Sequence, residues 1–159
     1  MLVFGGKEIE EMKHKLCGAF MAILMFLMTS CGNENTVVNV YYPNDDITGF
    51  DVETAELAVL SPENILNCLI QKGVLNEQVQ INSFETVLVE EKDSIEIDFS
   101  QEFLTSLSNT GSTGEYYVIG SICNTYLDAY DCEQIKITVN DEILSTGHAE
   151  YSKYMGVFQ

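Results

Sequence analysis

The sequence predicts an α+β domain in which two α-helices pack on one face of a mixed β-sheet. Three observations favour this fold class. Segments of alternating apolar and polar residues, typical of strands, flank two helical segments in the order strand, strand, helix, hairpin, helix, hairpin. Each helical segment carries an apolar stripe at a spacing of three and four residues. Because neither helix can bury its stripe alone, placing both against one sheet gives a sandwich of two layers.

Two strands and a helix are predicted in the first part of the domain. Residues 36–42 and residues 50–57 have the composition and alternation of strands, with turn residues between them. Ser61 and Pro62 are residue types of a helix N-terminus, and Lys72–Gly73 are typical of a helix end. The apolar stripe of this helix consists of Ile65, Leu66, Leu69 and Ile70.

A long hairpin is predicted after this helix. Residues 79–90 favour a strand, but their alternation slips near Ser83–Phe84, so we expect a β-bulge there. Residues 91–94 are predicted to form the turn, and residues 95–99 alternate as the partner strand. Ser100 is expected to cap a short helix that follows.

A second long helix and a second hairpin complete the predicted domain. Residues 108–114, rich in Ser, Thr and Gly, indicate a flexible loop. Ser112 and Glu115 have the spacing of a capping box, which predicts a helix over residues 112–130. One face of this helix is predicted to be buried: Ile119, Ile122, Cys123 and Tyr126. Residues 135–144 are predicted to form the hairpin, with an Asn-Asp pair at its turn.

The N-terminus carries a targeting segment. Residues 13–15 form a short positive run, and the apolar residues 16–28 that follow are too few to span a bilayer comfortably, as in a signal peptide. Residues 27–32 (LMTSCG) resemble a lipobox, the recognition sequence of bacterial lipoprotein processing. This resemblance implies cleavage after Ser30 and a diacylglycerol on Cys31. The alternative is an ordinary signal peptide followed by a chance cysteine.

This targeting segment and the strand pattern predict the following organisation: residues 1–30 as signal peptide, 31–35 as lipidated tether, 36–154 as the folded domain and 155–159 as a C-terminal tail. Met12 is the expected translation start, because residues 5–8 would be encoded by purine-rich codons typical of a ribosome-binding region. The short tether predicts a domain held against the outer face of the cytoplasmic membrane of a bacterium, since two or more acyl chains anchor a protein durably.

Charge excludes some partners. The chain has 25 acidic residues against 7 lysines and no arginine, for a formal net charge of −18. Such a field repels nucleic acid and anionic lipid, and it attracts basic protein surfaces or dissolved cations. A simple solubilising role for the charge is the alternative interpretation.

Catalytic chemistry is not indicated. His148 is the only histidine after the targeting segment, and no nucleophile motif accompanies it, so we predict a non-enzymatic protein without a cofactor or metal. Two acidic clusters lack the spacing of a calcium loop and are expected to be solvated faces: Asp45, Asp46 and Asp51, and Asp128, Asp131 and Glu133.

Cysteines and tyrosines leave alternatives open. Cys68 and Cys123 could meet if the two helices pack side by side, although buried free cysteines are the more common outcome. Tyr116, Tyr117 and Tyr130 could form a sugar-stacking or protein-contact surface, or could pack in the core and at its rim.

Five segments together resemble the GerMN domains of sporulation and spore germination proteins. They are Val40–Pro43, Ser94–Phe103 with Phe99 and Phe103, Glu115 with Ile122–Thr125 (Asn124 and Thr125 included), Ile135–Glu142, and Gly147–His148. Tyr126, Asp141 and Val74 depart from the family pattern. The resemblance implies a small α+β domain similar to ring-building motifs of secretion and sporulation machinery, which acts by contact.

These observations predict a membrane-anchored domain that binds another envelope protein, in a role related to sporulation or germination. The alternative is a lipoprotein that binds a wall glycan or a cation, which the tyrosines and the acidic field would favour. A wall hydrolase that uses His148 is a third class, and it would need an activity to be found first.

Overall fold

The computed structural model describes residues 35–108 and 110–159, which belong to one compact unit. The predicted signal peptide, the expected start at Met12, the lipobox and Cys31 all lie outside the described residues. Within the described ranges, no helix combines the length and apolar character needed to cross a bilayer.

The elements follow one another as β1 (Thr36–Pro43), β2 (Phe50–Leu57), α1 (Pro62–Gln71), β3 (Ile81–Val89), β4 (Lys92–Phe99), α2 (Glu102–Leu107), α3 (Gly111–Tyr130), β5 (Gln134–Val139), β6 (Glu142–Ser145) and β7 (Glu150–Tyr151). This order confirms the predicted α+β fold class. Ser61 caps α1 as predicted, because its side chain accepts a hydrogen bond of 3.2 Å from the Asn64 N–H.

Five strands form the mixed sheet, in the order β3-β4-β5-β6-β7. β4 and β5 are parallel and the other neighbours are antiparallel. A parallel pair needs a long crossover connection, and here α2 and α3 provide it. The apolar side chains of the parallel strands β4 and β5 point to one face and are fully buried: Ile95, Ile97, Phe99, Ile135 and Ile137.

β1 and β2 form a separate antiparallel pair and do not join the mixed sheet, which the sequence analysis did not predict. The physical reason is α3, whose residues 118–127 are all buried. Ile119, Ile122, Cys123 and Tyr126 share the helix face that the sequence predicted to be buried, and all four are inaccessible to solvent. On another face, Thr125 accepts a hydrogen bond of 3.0 Å from the backbone N–H of Tyr41 in β1. The first hairpin therefore covers a side of α3 that a two-layer sandwich would leave exposed.

Close packing beside the first hairpin depends on Gly120. A β-carbon at this position would lie 2.5 Å from Cζ of Phe50 and 2.9 Å from Cβ of Phe158. Phe50 begins β2, and Phe158 belongs to the segment after β7. The glycine thus allows two aromatic side chains to pack directly on the helix backbone.

Residues 155–159, predicted to be a tail, pack against the domain. Met155 exchanges two backbone hydrogen bonds of 2.8 Å with Ile135 of β5. The backbone of Phe158 forms two hydrogen bonds with the Asn124 side chain. The Phe158 N–H donates to Asn124 Oδ1 at 2.8 Å, and Asn124 Nδ2 donates to the Phe158 carbonyl at 3.0 Å. The C-terminal segment is held at both of these points.

The two hairpin turns are tight two-residue connections. Asn140 and Asp141 both have positive φ angles (51° and 63°), which confirms the predicted Asn-Asp turn. Between β3 and β4 the corresponding residues are Glu90 and Glu91, with φ of 51° and 66°. The predicted turn at residues 91–94 is therefore wrong, because the pairing of Val89 with Lys92 extends the ladder to the end of the hairpin. The expected bulge exists, but the register shifts between Ile81 and Ser83.

Candidate functional site

A pocket of about 340 Å³ lies at the N-terminal end of α3. We call it the Glu115 pocket. Its lining comes from α2 and its end, from α3, and from the connection between β6 and β7: Leu104, Leu107, Ser108, Glu115 and Ser145–His148. The pocket thus brings together three of the residues that carry the GerMN resemblance, Glu115, Gly147 and His148. They are distant in sequence, since Thr146, the residue before Gly147, lies 31 positions after Glu115.

Glu115 is the buried polar group of this pocket, with only 2% of its surface exposed. Its Oε1 accepts hydrogen bonds from the Thr146 hydroxyl at 2.8 Å and from the Tyr151 hydroxyl at 2.9 Å. Its Oε2 accepts no hydrogen bond from any residue that the structure describes. The carboxylate is therefore held by one oxygen, and the other is left available.

Tyr151 helps to fix this carboxylate. Burial raises the pKa of Tyr151, and the hydrogen bond to Glu115 and its negative charge raise it further. The phenol accordingly keeps its proton at physiological pH and stays a hydrogen-bond donor. This arrangement sets the position of Oε1 and thereby the direction of Oε2.

A turn after β6 places Gly147 and His148 at the pocket. The Thr146 hydroxyl accepts hydrogen bonds from the backbone N–H groups of His148 (3.1 Å) and Ala149 (3.0 Å). The Thr146 N–H in turn donates to the Ala149 carbonyl at 2.9 Å. One hydroxyl thus ties the Gly-His turn to Glu115, while the His148 side chain is exposed at the rim.

The predicted capping box is wrong, and the pocket gives the reason. α3 begins at Gly111, inside the segment predicted to be a flexible loop, and no side chain caps it at Thr110. Ser112 is exposed within the first turn, while Glu115 turns away from the helix end towards Thr146 and Tyr151. Two hydroxyl donors in a buried site replace the single backbone N–H that a capping box would offer.

The other four residues of the resemblance build the scaffold. Phe99 and Phe103 are fully buried, and their rings stack with centroids 4.8 Å apart. Asn124 holds the C-terminal segment and Thr125 holds β1, as described above. These residues position elements of the fold and do not reach the pocket.

A second buried carboxylate, Asp98, lies on the opposite face of the mixed sheet and is 3% exposed. Its Oδ1 accepts hydrogen bonds from the Thr138 hydroxyl (2.6 Å) and the Asp141 N–H (2.8 Å), and its Oδ2 accepts one from Asn82 (2.8 Å). Burial raises the pKa of Asp98, but these hydrogen bonds outweigh it, so the pKa lies below its usual range. Both oxygens are occupied, and the residue joins the bulge of β3 to the turn after β5.

The three cysteines of the domain and the two acidic clusters lie outside the Glu115 pocket. Cys68, Cys123 and Cys132 are free, and burial raises the pKa of each thiol. Within the described residues, no three His, Cys, Asp or Glu side chains converge as metal ligands. Asp128 instead accepts a hydrogen bond of 3.0 Å from Asn39.

The three tyrosines do not form one surface. Tyr116 packs against Phe158 with ring centroids 5.0 Å apart, and Tyr117 packs against Phe50 at 5.1 Å. Tyr130 packs against Phe84 at 4.7 Å, near the other end of α3. At about 1.5 Å per residue along a helix, the two groups are separated by roughly 20 Å. Tyr130 packs at the rim of the core, as the simpler interpretation expected, whereas Tyr117 is half-buried and Tyr116 is exposed.

Sequence reasoning missed Thr146 and Tyr151 in the pocket, and Asp98 behind the sheet. The Thr-Gly-His segment carries a weak signal for a hydroxyl-stabilised turn. Tyr151 gives none, because its contact with Glu115 spans 36 residues and depends on how β7 joins the sheet.

Comparisons with known proteins agree with this architecture. A sequence model of the Germane family, described as "Sporulation and spore germination", matches residues 39–145. No curated protein matches the chain. Among solved structures, the tandem GerMN domains of the sporulation protein GerM from Bacillus subtilis are similar, with 15% identity and a TM-score of 0.55. That match covers 77% of this chain and 46% of the tandem-domain chain.

A second structure is a candidate lipoprotein from Clostridium perfringens, with 17% identity and a TM-score of 0.44, covering 77% of this chain and 87% of that one. This chain thus spans about half the length of the tandem GerM structure and most of the length of the clostridial one.

Proposed function

The chain belongs to the Germane family of sporulation and spore germination domains, and from this premise we propose that it is a lipid-anchored, non-enzymatic module that binds another protein of the bacterial envelope. The anchor would be a diacylglycerol on Cys31, and the domain would lie outside the cytoplasmic membrane. The single observation that carries the proposal is a Germane domain that begins a few residues after a lipobox-like sequence.

The position of Cys31 supports anchoring. Thr29 and Ser30 are small, as processing before a lipid-bearing cysteine requires, and an apolar segment with a basic N-terminal flank precedes them. Two or more acyl chains hold a protein on a membrane durably, whereas a single chain binds reversibly.

The cysteine thiols and the Glu115 pocket both support a binding role over a catalytic one. The thiols of Cys68, Cys123 and Cys132 have raised pKa values, which disfavours the nucleophilic thiolate. The pocket offers a fixed carboxylate with apolar side chains beside it, which is suited to recognition.

The anchor can be tested by mass spectrometry of the protein isolated from its native host. We expect an N-terminal Cys31 whose mass includes a diacylglycerol, and we expect Cys31→Ala to abolish the modification. Cys17→Ala is the matched control, since Cys17 lies in the segment that would be removed. An unmodified Cys31 thiol on the native protein would refute the anchor.

The binding role can be tested by cross-linking the full-length protein in intact cells and purifying it in detergent. We expect one envelope protein to be recovered in a saturable complex. Failure to recover any such protein, with the lipoprotein itself folded and localised, would contradict the proposed function.

The biological process can be tested in the native bacterium. If the family description applies to this chain, deletion of its gene should lower the yield or the germination of heat-resistant spores without slowing vegetative growth. Unchanged spore yield and germination would separate this member from the process for which the family is named.

A further inference from the structure

We propose that the Glu115 pocket accepts a lysine side chain of the partner protein. This inference rests on the proposed function, because it names the chemical group by which an envelope partner would be recognised. Three features support it: the available carboxylate oxygen, the walls of the pocket and the charge of the chain.

The side chain of Glu115 is 2% exposed, and it forms no salt bridge with a lysine of the described residues. No buried side-chain oxygen or nitrogen of the described residues lacks a hydrogen-bond partner, so an oxygen of Glu115 without a donor is one that solvent or a ligand can reach. Oε1 is satisfied by two hydroxyl donors, but Oε2 has no donor among the described residues. Of the four lysines in the described chain, none lines the pocket, and Lys72 is already paired with Glu53. A cation from another molecule would complete the site.

The single available oxygen and the lining of the pocket favour lysine over other cations. One available carboxylate oxygen matches the compact ammonium group, whereas arginine pairs best with two oxygens at once. Calcium requires six to eight oxygens, and within the described residues no three His, Cys, Asp or Glu side chains converge to begin such a set. Leu104 and Leu107 provide an apolar wall for the four-carbon stem of lysine, and the hydroxyls of Ser108 and Ser145 can accept the remaining ammonium protons.

Volume and charge agree with this occupant. About 340 Å³ is at the small end of ligand pockets, which span roughly 300–1,000 Å³, and it suits one long side chain. The net charge of −18 raises the local concentration of basic partners and steers them to the surface.

The experiment uses the full-length protein, labelled with ¹⁵N and purified in detergent. The probe is Nα-acetyl-lysine N-methylamide, and the matched probes are the norleucine and arginine analogues. We expect the lysine probe to shift the amide signals of Gly147 and His148 saturably, with weaker binding of the arginine analogue and none of norleucine. Equal binding of norleucine, or tighter binding of arginine, would overturn the assignment.

Two variants test the contacts. Glu115→Gln keeps the size of the side chain and should weaken lysine binding at least tenfold, whereas Glu142→Gln, an exposed acid on β6, should leave it unchanged. If Glu115→Gln does not fold, Leu104→Ala provides the second test, because it removes part of the apolar wall and should weaken the lysine probe severalfold. Unchanged lysine binding in the folded variants would disprove the proposal.

Failure of this inference can be told apart from failure of the proposed function. If cells yield the same cross-linked partner with the wild type and with folded Glu115→Gln, the lysine inference fails and the binding role stands. If the lysine probe binds as expected but no envelope protein is recovered, the pocket assignment stands and the proposed function fails.

Discussion

Asp98 and Glu115 are both buried carboxylates, but they lie in regions of the molecule that use them differently. Asp98 lies between the bulge of β3, strand β5 and the turn after it, and three donors from these elements occupy both of its oxygens. Glu115 lies at the start of α3, where two hydroxyls occupy Oε1 and leave Oε2 available. The two side chains are buried to nearly the same degree, 3% and 2% exposed, so burial alone does not distinguish them. The number of unoccupied acceptor positions does.

The largest effect on the free energy of unfolding is expected from Asp98→Asn. The amide presents only one oxygen, so it cannot accept from Thr138, Asp141 and Asn82 together, and hydrogen bonds to charged groups contribute about 1.5–3 kcal/mol each. We expect the free energy of unfolding in urea to fall by about 2–3 kcal/mol. Asp51→Asn, at an exposed position of β2, is the control and should stay within about 0.5 kcal/mol. A loss as small as the control's would mean that Asp98 is not a structural carboxylate.

The same residue makes a defined contribution to the pH dependence of stability. Because the folded-state pKa of Asp98 lies below its unfolded value, its contribution is fully present above the unfolded value, near 3.8, and is lost as pH falls through the folded value. We therefore expect the stability gap between wild type and Asp98→Asn to narrow as pH is lowered below about 4. Urea unfolding at a series of pH values measures the gap, and a constant gap would contradict the assignment.

A smaller effect is expected when one donor to Asp98 is removed. Thr138→Val keeps the shape of the side chain and its suitability for a strand, but it loses the hydroxyl that donates to Oδ1 at 2.6 Å. Since Asp141 and Asn82 continue to donate, the loss should be about 1 kcal/mol in urea unfolding. Thr86→Val, at an exposed position of β3, should have little effect. Equal effects at the two positions would show that the hydrogen bond is unimportant.

The smallest change in stability is expected from Glu115→Gln. The glutamine oxygen can still accept from Thr146 and Tyr151, and Oε2 has no described donor to lose, so unfolding should change by about 1 kcal/mol or less. Removal of the negative charge should also lower the pKa of Tyr151 towards its ordinary range, since the charge of Glu115 helps to raise it. Titration of the tyrosine Cζ signal by NMR measures this shift. A stability loss as large as that of Asp98→Asn would show that Glu115 stabilises the fold as Asp98 does, and it would contradict the difference proposed between the two carboxylates.

Much of the fold follows from short-range patterns. The alternation in β4 and β5, the Ser-Pro start of α1 and the Asn-Asp turn were all predicted, because each depends on neighbouring residues and on local geometry. The predictions that were wrong concern boundaries that distant contacts decide. The capping box is one example, because Glu115 finds better donors 31 and 36 residues away than at its own helix end.

The sequence by itself determined the α+β class, the buried face of the second long helix and the family to which the chain belongs, because these are encoded in periodicity and in motifs along the chain. Only the tertiary structure decided that β1 and β2 pair apart from the main sheet, that the C-terminal residues pack on Asn124, and that Glu115 meets the Gly147–His148 turn. Each of these depends on hydrogen bonds between residues far apart in sequence. Such bonds form only once packing has brought their donors and acceptors within about 3 Å of each other.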